Sequence, residues 1–144
     1  MKTFISIYMV VVFLLMSNCS KNLDLTTAEI QQQTSNKLQA STWKVNAVLK
    51  DGVDITADYA NFTLTIGANN YTTIHGGLAW PASGTWAFQG QSTTAVVRDG
   101  TTPVDFELSK DASSLKLNFT IETSTYANGR VHGLKGAYEF DLAR

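Results

Sequence analysis

Side chains that could do chemistry are few in this 144-residue chain, and their spacing suits no catalytic centre. The two histidines, His75 and His132, could meet in the folded chain, but a metal site also needs a third ligand and a second shell, and no spacing indicates them. The acidic residues fall on outward strand positions or in turns, and no nucleophile elbow is present. We therefore expect no catalytic residue, no metal, no cofactor and no enzyme activity.

The one cysteine, Cys19, follows a hydrophobic run at residues 4–16 that Lys2 precedes. A helix of this length spans about 20 Å, less than the hydrocarbon core of about 30 Å, which favours a secretion signal over a membrane span. Residues 14–19, LLMSNC, resemble a bacterial lipobox. The resemblance implies a lipoprotein signal peptide at residues 1–18 and a membrane anchor through lipidated Cys19. A plain secretory signal with an incidental cysteine is the alternative.

The residues after Cys19 indicate where the protein is anchored and what structure the tether has. Ser20 in place of Asp implies, by the same resemblance, attachment at the outer membrane. The absence of an acidic run at residues 20–22 favours the periplasmic side over the cell surface. Residues 19–40 are interpreted as a lipidated tether. Thr26 and Glu29 have capping-box spacing and predict a short helix there, with a flexible spacer as the alternative.

Composition excludes several classes of protein. With 11 basic and 12 acidic residues and a net charge of -1, the chain lacks the basic surface of a nucleic-acid-binding protein. A single cysteine excludes a disulfide framework. An apolar fraction of 44% indicates a globular domain, which we place at residues 41–144.

Residues alternate between apolar and polar from residue 41 onward, as in half-buried strands. In the first strand Trp43, Val45, Ala47 and Leu49 form the inward set, and Lys44, Asn46, Val48 and Lys50 the outward set. Seven further strands are predicted around residues 62–66, 70–75, 86–88, 93–98, 104–108, 115–122 and 134–142. Turn dipeptides at 51–52, 99–100 and 128–129 separate strands. We predict an all-β fold, an eight-stranded antiparallel up-and-down barrel, with a two-sheet β-sandwich as the alternative.

Five segments resemble the lipocalin-like domains of Bacteroidetes lipoproteins. They are STWKV at 41–45, DGVD at 51–54, FTLTI at 62–66, GTWAF at 84–88 and GAYEFDL at 136–142. The resemblance implies structural roles for Trp43 and Trp86. It also implies that Arg144, at the end of the last strand, covers Trp43 with a cation–π contact of about 0.5–1 kcal/mol. It identifies no ligand.

The predicted inward set is rich in aromatic residues, so we expect a mostly packed lumen with at most a small cavity at one mouth. The set contains Trp43, Phe62, Trp86, Phe88, Phe106, Phe119, Tyr138 and Phe140.

Two loops are candidates for ligand or partner contact. The loop at 76–83 carries Trp80, which we expect either as an exposed contact residue or as a plug over the barrel end. The loop at 124–133 carries Tyr126, Arg130 and His132, with a solvated hairpin as the alternative. The first functional hypothesis is a cell-envelope lipoprotein that binds a small apolar or amphipathic ligand at the barrel mouth. The alternative is an envelope interaction module with a packed barrel that binds a protein or glycan through its loops.

Overall fold

A computed structural model of the chain describes residues 24–122 and 133–144. The signal segment, Cys19, and the loop residues Tyr126, Arg130 and His132 lie outside the described residues. The described chain has a helix α1 (Thr27–Gln39) and a 3-10 helix (Thr56–Tyr59). Its strands are β1 (Trp43–Lys50), β2 (Val53–Asp54), β3 (Thr63–Ile66), β4 (Asn70–Ile74), β5 (Ser83–Phe88), β6 (Ala95–Arg98), β7 (Thr102–Leu108), β8 (Ser114–Ile121) and β9 (Gly136–Ala143).

The strands close into an antiparallel barrel. The order is β1-β3-β4-β5-β6-β7-β8-β9, and β9 pairs back with β1 over six residue pairs, from Lys44↔Ala143 to Lys50↔Tyr138. The short β2 is an additional strand that folds back on the end of β1. The predicted eight-stranded up-and-down barrel is therefore confirmed, and the sandwich alternative is not observed. Among the described strands, closure leaves no long open edge for pairing with other chains.

Strand β1 contains an irregularity that the alternation did not predict. Its register against β9 shifts between Val45 and Ala47, as a β-bulge does. The inward phase changes at this point, so Val48 is fully buried while Ala47 and Leu49 are only partly buried. The expectation that Val48 points outward and that Ala47 and Leu49 point inward was wrong. One additional residue moves every following side chain to the opposite face.

Because successive strands run antiparallel, their connections alternate between two ends of the barrel. The turns at 67–69, 89–94 and 109–113 lie with α1 at one end, which we name the helix end. The segments 51–62, 75–82 and 99–101 lie at the opposite end, which we name the loop end.

Helix α1 begins with the predicted capping box. Glu29 N donates to Thr26 Oγ1 at 3.3 Å, and Thr26 N donates to Glu29 Oε2 at 2.7 Å. The helix packs on the barrel, because Leu38 is buried in the core and Gln31 Nε2 donates to the carbonyl oxygen of Gly90 at 3.0 Å. The folded domain thus includes the helix as well as the strands. Within the described residues, no helix has the length and hydrophobicity to cross a membrane.

Candidate functional site

The helix end of the barrel is closed by Trp43, Leu38 and Arg144. Trp43 is fully buried, and its indole Nε1 donates to the carbonyl oxygen of Leu38 at 3.0 Å. The guanidinium of Arg144 lies 4.9 Å from the Trp43 ring centre, and its Nη2 donates to the carbonyl oxygen of Lys37 at 2.6 Å. The predicted position of Arg144 over Trp43 is confirmed.

The loop end is closed by Trp80, which enters the barrel from the loop at 75–82. The residue is only 5% exposed. Its ring packs edge-on against Phe119 at 5.1 Å between centroids and against Tyr71 at 5.9 Å. Although Trp80 belongs to a loop, burying its large aromatic surface is more favourable than leaving it in water. The indole therefore acts as a plug. Of the two predicted roles for Trp80, the exposed contact residue is not observed.

Arg98 is a buried cation that sequence reasoning missed. Its guanidinium contacts two aromatic rings that pack against each other, 4.4 Å from the centre of Trp80 and 4.7 Å from that of Phe119. Its Nη1 donates to the carbonyl oxygen of Ala79 at 3.1 Å. Burial lowers the pKa of Arg98. The alternation of β6 could have predicted this burial. Arg98 stands two residues after the inward-facing Val96, and residues two apart in a strand point to the same face.

Asp99 is the partner of Arg98 and connects three strands. Its Oδ2 lies 3.8 Å from Arg98 Nε and accepts a hydrogen bond from the Tyr71 hydroxyl at 2.7 Å. Its Oδ1 accepts from Thr85 N at 2.9 Å. Burial and the hydrogen bond to Asp99 hold the pKa of Tyr71 well above its usual value. Through these contacts Asp99 links β4, β5 and the end of β6.

The space left inside the lumen is small. It measures about 40 Å³ and is lined by Leu38, Leu64, Ile66, Tyr71, Trp80, Trp86, Val96, Arg98, Val104, Phe106, Leu115 and Leu117. Pockets that hold small-molecule ligands usually have about 300 Å³ or more. The interior formed by the described residues is therefore packed, as the aromatic inward set predicted.

Trp86 contributes to this packing as a structural residue. It is 9% exposed, and its Nε1 donates to the carbonyl oxygen of Gly67 at 2.9 Å. Phe88, the other aromatic residue of β5, packs against the core but remains partly exposed. Both predicted inward positions in β5 are thus confirmed, although Phe88 lies at the margin of the core.

The outer surface of the loop end is both apolar and acidic. Leu78 is 75% exposed and Val53 is 65% exposed. The two segments that carry them meet where Gly77 approaches Tyr59, since a Cβ added at Gly77 would lie 3.6 Å from the Tyr59 ring. Asp54, next to Val53 in the chain, and Asp58, in the 3-10 helix, are also exposed. We use the name loop-end surface for the exposed residues Val53, Asp54, Asp58 and Leu78 of these two loop-end segments; of these, Leu78 is the exposed residue that sequence reasoning missed.

The described residues hold no group of His, Cys, Asp and Glu side chains that could bind a metal. His75 is exposed, with Nδ1 at 3.4 Å from the carbonyl oxygen of Asn61. No protein-family model and no curated protein matches this chain. Inference about function therefore depends on the sequence motifs and on the geometry of the barrel.

Proposed function

We propose that this chain is a lipid-anchored cell-envelope protein whose packed barrel is an interaction module. In this proposal the loop-end surface binds a protein or glycan, and the barrel acts as its rigid support. One observation carries the proposal: the lumen is closed by Trp43 and Leu38 at one end and by Trp80 at the other, with about 40 Å³ left between them.

The packed interior weighs against the hypothesis of a small ligand at the barrel mouth. A ligand that entered from the loop end would have to displace Trp80, which packs on four aromatic rings and on the Arg98 guanidinium. Displacement would also remove the cation–π contact between the Trp80 ring and the buried guanidinium of Arg98. Binding on the outside of the loop end requires neither change.

Exposed apolar side chains on a rigid loop support the interaction hypothesis. Leu78 stands two residues before Trp80, and the Ala79 carbonyl between them accepts from Arg98 Nη1. The buried neighbours therefore hold Leu78 outward without a flexible hinge. Exposed apolar patches with a polar rim are typical of protein contact sites, and Leu78 and Val53 are the apolar residues of the loop-end surface. A preorganised surface lowers the entropic cost of binding.

The anchor part of the proposal is supported by the position of the only cysteine. Cys19 follows a signal-like hydrophobic run and the lipobox-like residues 14–18. Acyl chains on a cysteine hold a protein at a membrane when two or more chains are present. We place the barrel at the outer membrane, facing the periplasm.

Native mass spectrometry of the full-length protein, purified in mild detergent from its own envelope, tests the interaction. We expect a non-covalent complex with a protein or glycan. Leu78→Asp should abolish the complex, and Leu25→Asp is the matched control because Leu25 is also exposed but lies at the start of the helix. A reproducible small-molecule adduct on every variant would instead support ligand binding. A complex that survives equally in both variants would contradict the role of the loop-end surface.

A further inference from the structure

We propose that the helix end of the barrel lies against the lipid headgroups, so that the loop end points away from the membrane. This inference rests on the proposed lipidation of Cys19 and adds an orientation and a lipid-facing surface to it. It follows from three observations: the length of the tether, the docking of α1, and the distribution of charge.

The tether is too short to let the barrel turn over. Four residues, 20–23, separate Cys19 from Asp24, where the described chain begins. Fully extended, the five steps from Cys19 to Asp24 reach about 18 Å at most. A barrel with strands of eight residues is itself about 20 Å high when the strands are tilted. The part of the barrel nearest to Asp24 must therefore remain close to the headgroups.

That part is the helix end, because α1 is firmly docked there. Near its first turn, Gln31 Nε2 donates to the carbonyl oxygens of Gly90 at 3.0 Å and Ser92 at 2.6 Å. Near its last turn, the Lys37 carbonyl accepts from Arg144 and Leu38 enters the core. The tether thus leaves the domain beside the turn at 89–94 and not from the loop end.

The surface of the helix end suits a headgroup layer. The turns at 67–69 and 89–94 carry no charged residue, and the exposed helix positions Gln32, Gln33 and Asn36 are amides. The charges described at this end are balanced, with Asp24, Glu29 and Asp111 against Lys37, Lys110 and Arg144. Amide and hydroxyl groups can bond to phosphate and glycerol oxygens without burying an unpaired charge.

The loop end is poorly suited to contact with the lipid headgroups. Its described residues include five carboxylates, Asp51, Asp54, Asp58, Asp99 and Glu122, against the cations Lys50, Arg98 and Lys135. Arg98 is buried and lies beside Asp99, and Lys135 lies 4.0 Å from Glu122. The negative surface potential of a membrane with anionic lipids repels the carboxylates that remain. Both electrostatics and tether length therefore favour the same orientation.

Site-specific fluorescence quenching tests the orientation. Single cysteines at Gln33→Cys and Gln91→Cys label the helix end, and those at Ala57→Cys and Leu78→Cys label the loop end; all four positions are exposed. Each lipidated full-length variant is reconstituted into vesicles of phosphatidylethanolamine and phosphatidylglycerol that contain a headgroup-quenching lipid. We expect several-fold stronger quenching at positions 33 and 91 than at positions 57 and 78.

Intact-mass analysis of the same samples separates the two proposals. If the acyl chains are present and quenching is equal at both ends, or stronger at positions 57 and 78, the orientation is wrong while the anchor stands. If the mass shows no acyl chains, the anchor is wrong and the orientation falls with it. A flexible Gly-Ser insertion between residues 22 and 23 gives a further check. It should reduce quenching at position 91, and unchanged quenching would show that the tether length does not set the orientation.

Discussion

The guanidinium of Arg144 lies 4.9 Å from the centre of the Trp43 ring and joins the last strand of the barrel to the first. The same arginine donates to the carbonyl oxygen of Lys37 in α1. We expect Trp43→Ala to lower the free energy of unfolding by about 3–5 kcal/mol, because it leaves a cavity in the core. A double-mutant cycle with Arg144→Ala should give a coupling of about 0.5–1 kcal/mol.

Chemical denaturation of the four variants measures this coupling. Lys110→Ala is the matched control, since Lys110 is an exposed cation at the same end. It should show no coupling to Trp43. Equal couplings for Arg144 and Lys110 would mean that the contact with the ring contributes nothing.

Replacing the plug at the loop end should also destabilise the fold. Trp80→Ala removes a ring that contacts Phe62, Tyr71, Phe119 and Phe140, and we expect a loss of about 3–5 kcal/mol in the free energy of unfolding. Leu78→Ala, two residues earlier and exposed, should change it by less than about 0.5 kcal/mol. Urea unfolding of both variants distinguishes the positions. Similar small effects would place Trp80 outside the core.

Gly84 lies in the space between Tyr71 and Asp99. A Cβ added there would overlap Asp99 Oδ1 and the Tyr71 hydroxyl, so Gly84→Ala must displace the hydrogen-bonded pair. We expect a loss of about 1–3 kcal/mol from this overpacking. Gly133→Ala is the control, because the nearest atom of the described residues to a Cβ there is Lys135 N, 3.9 Å away. Thermal unfolding of the two variants should rank them clearly, and an unchanged Gly84→Ala would show that the pair is loosely held.

Stability should fall at alkaline pH because buried tyrosines resist ionisation. Burial raises the pKa of Tyr59 to about 12 from its ordinary value of 10.0, and the pKa of Tyr71 is raised further. A raised folded pKa gives stability that is complete below the unfolded value and is lost as the pH rises through the folded value. The free energy of unfolding should therefore decline above about pH 10.

Absorbance of the phenolate follows this transition directly. The folded protein should titrate later than the protein in denaturant, and Tyr59→Phe should flatten the decline in stability. Titration of every tyrosine near pH 10, in the folded state as in denaturant, would contradict the assigned burial.

Loss of the anchor should release the protein from the membrane. If Cys19 carries the acyl chains, Cys19→Ala should move the protein from the membrane fraction to the soluble periplasmic fraction. Ser20→Ala is the matched control and should leave fractionation unchanged. Membrane association of Cys19→Ala equal to that of the wild type would exclude the proposed anchor.

The strands and their closure were predictable because each half-buried strand repeats with period two and is separated by turn residues. The bulge in β1 was not predictable. Strict alternation assumes that every second residue points inward along the whole strand, and the register shift before Ala47 breaks this pattern ahead of Val48. The capping box at Thr26 and Glu29 is local and was correctly predicted to start a helix. The packing of this helix on the barrel through Leu38 was not predictable, because it depends on tertiary contacts and the surrounding sequence is mostly polar.

The candidate site was less accessible to prediction than the fold. Trp80 was a candidate because it is a tryptophan in a loop, but whether it points in or out depends on the space that the other core side chains leave. Arg98 was missed because a single charged residue at the end of a short strand resembles a turn residue. The exposure of Leu78 could be predicted only once the direction of Trp80 was known. Because the Trp80 side chain points into the barrel, that of Leu78 points outward.

The hydrogen bond between Arg144 and the Lys37 carbonyl spans 107 residues and has a consequence for folding. The helix precedes every strand in the chain, yet its last turn is completed by the residue that follows β9. Final docking of α1 therefore awaits closure of the barrel, and the two should occur in one cooperative step. Contacts of such long sequence separation form slowly, because a large loop must close first. During folding, the barrel would remain open at the helix end until its last strand pairs.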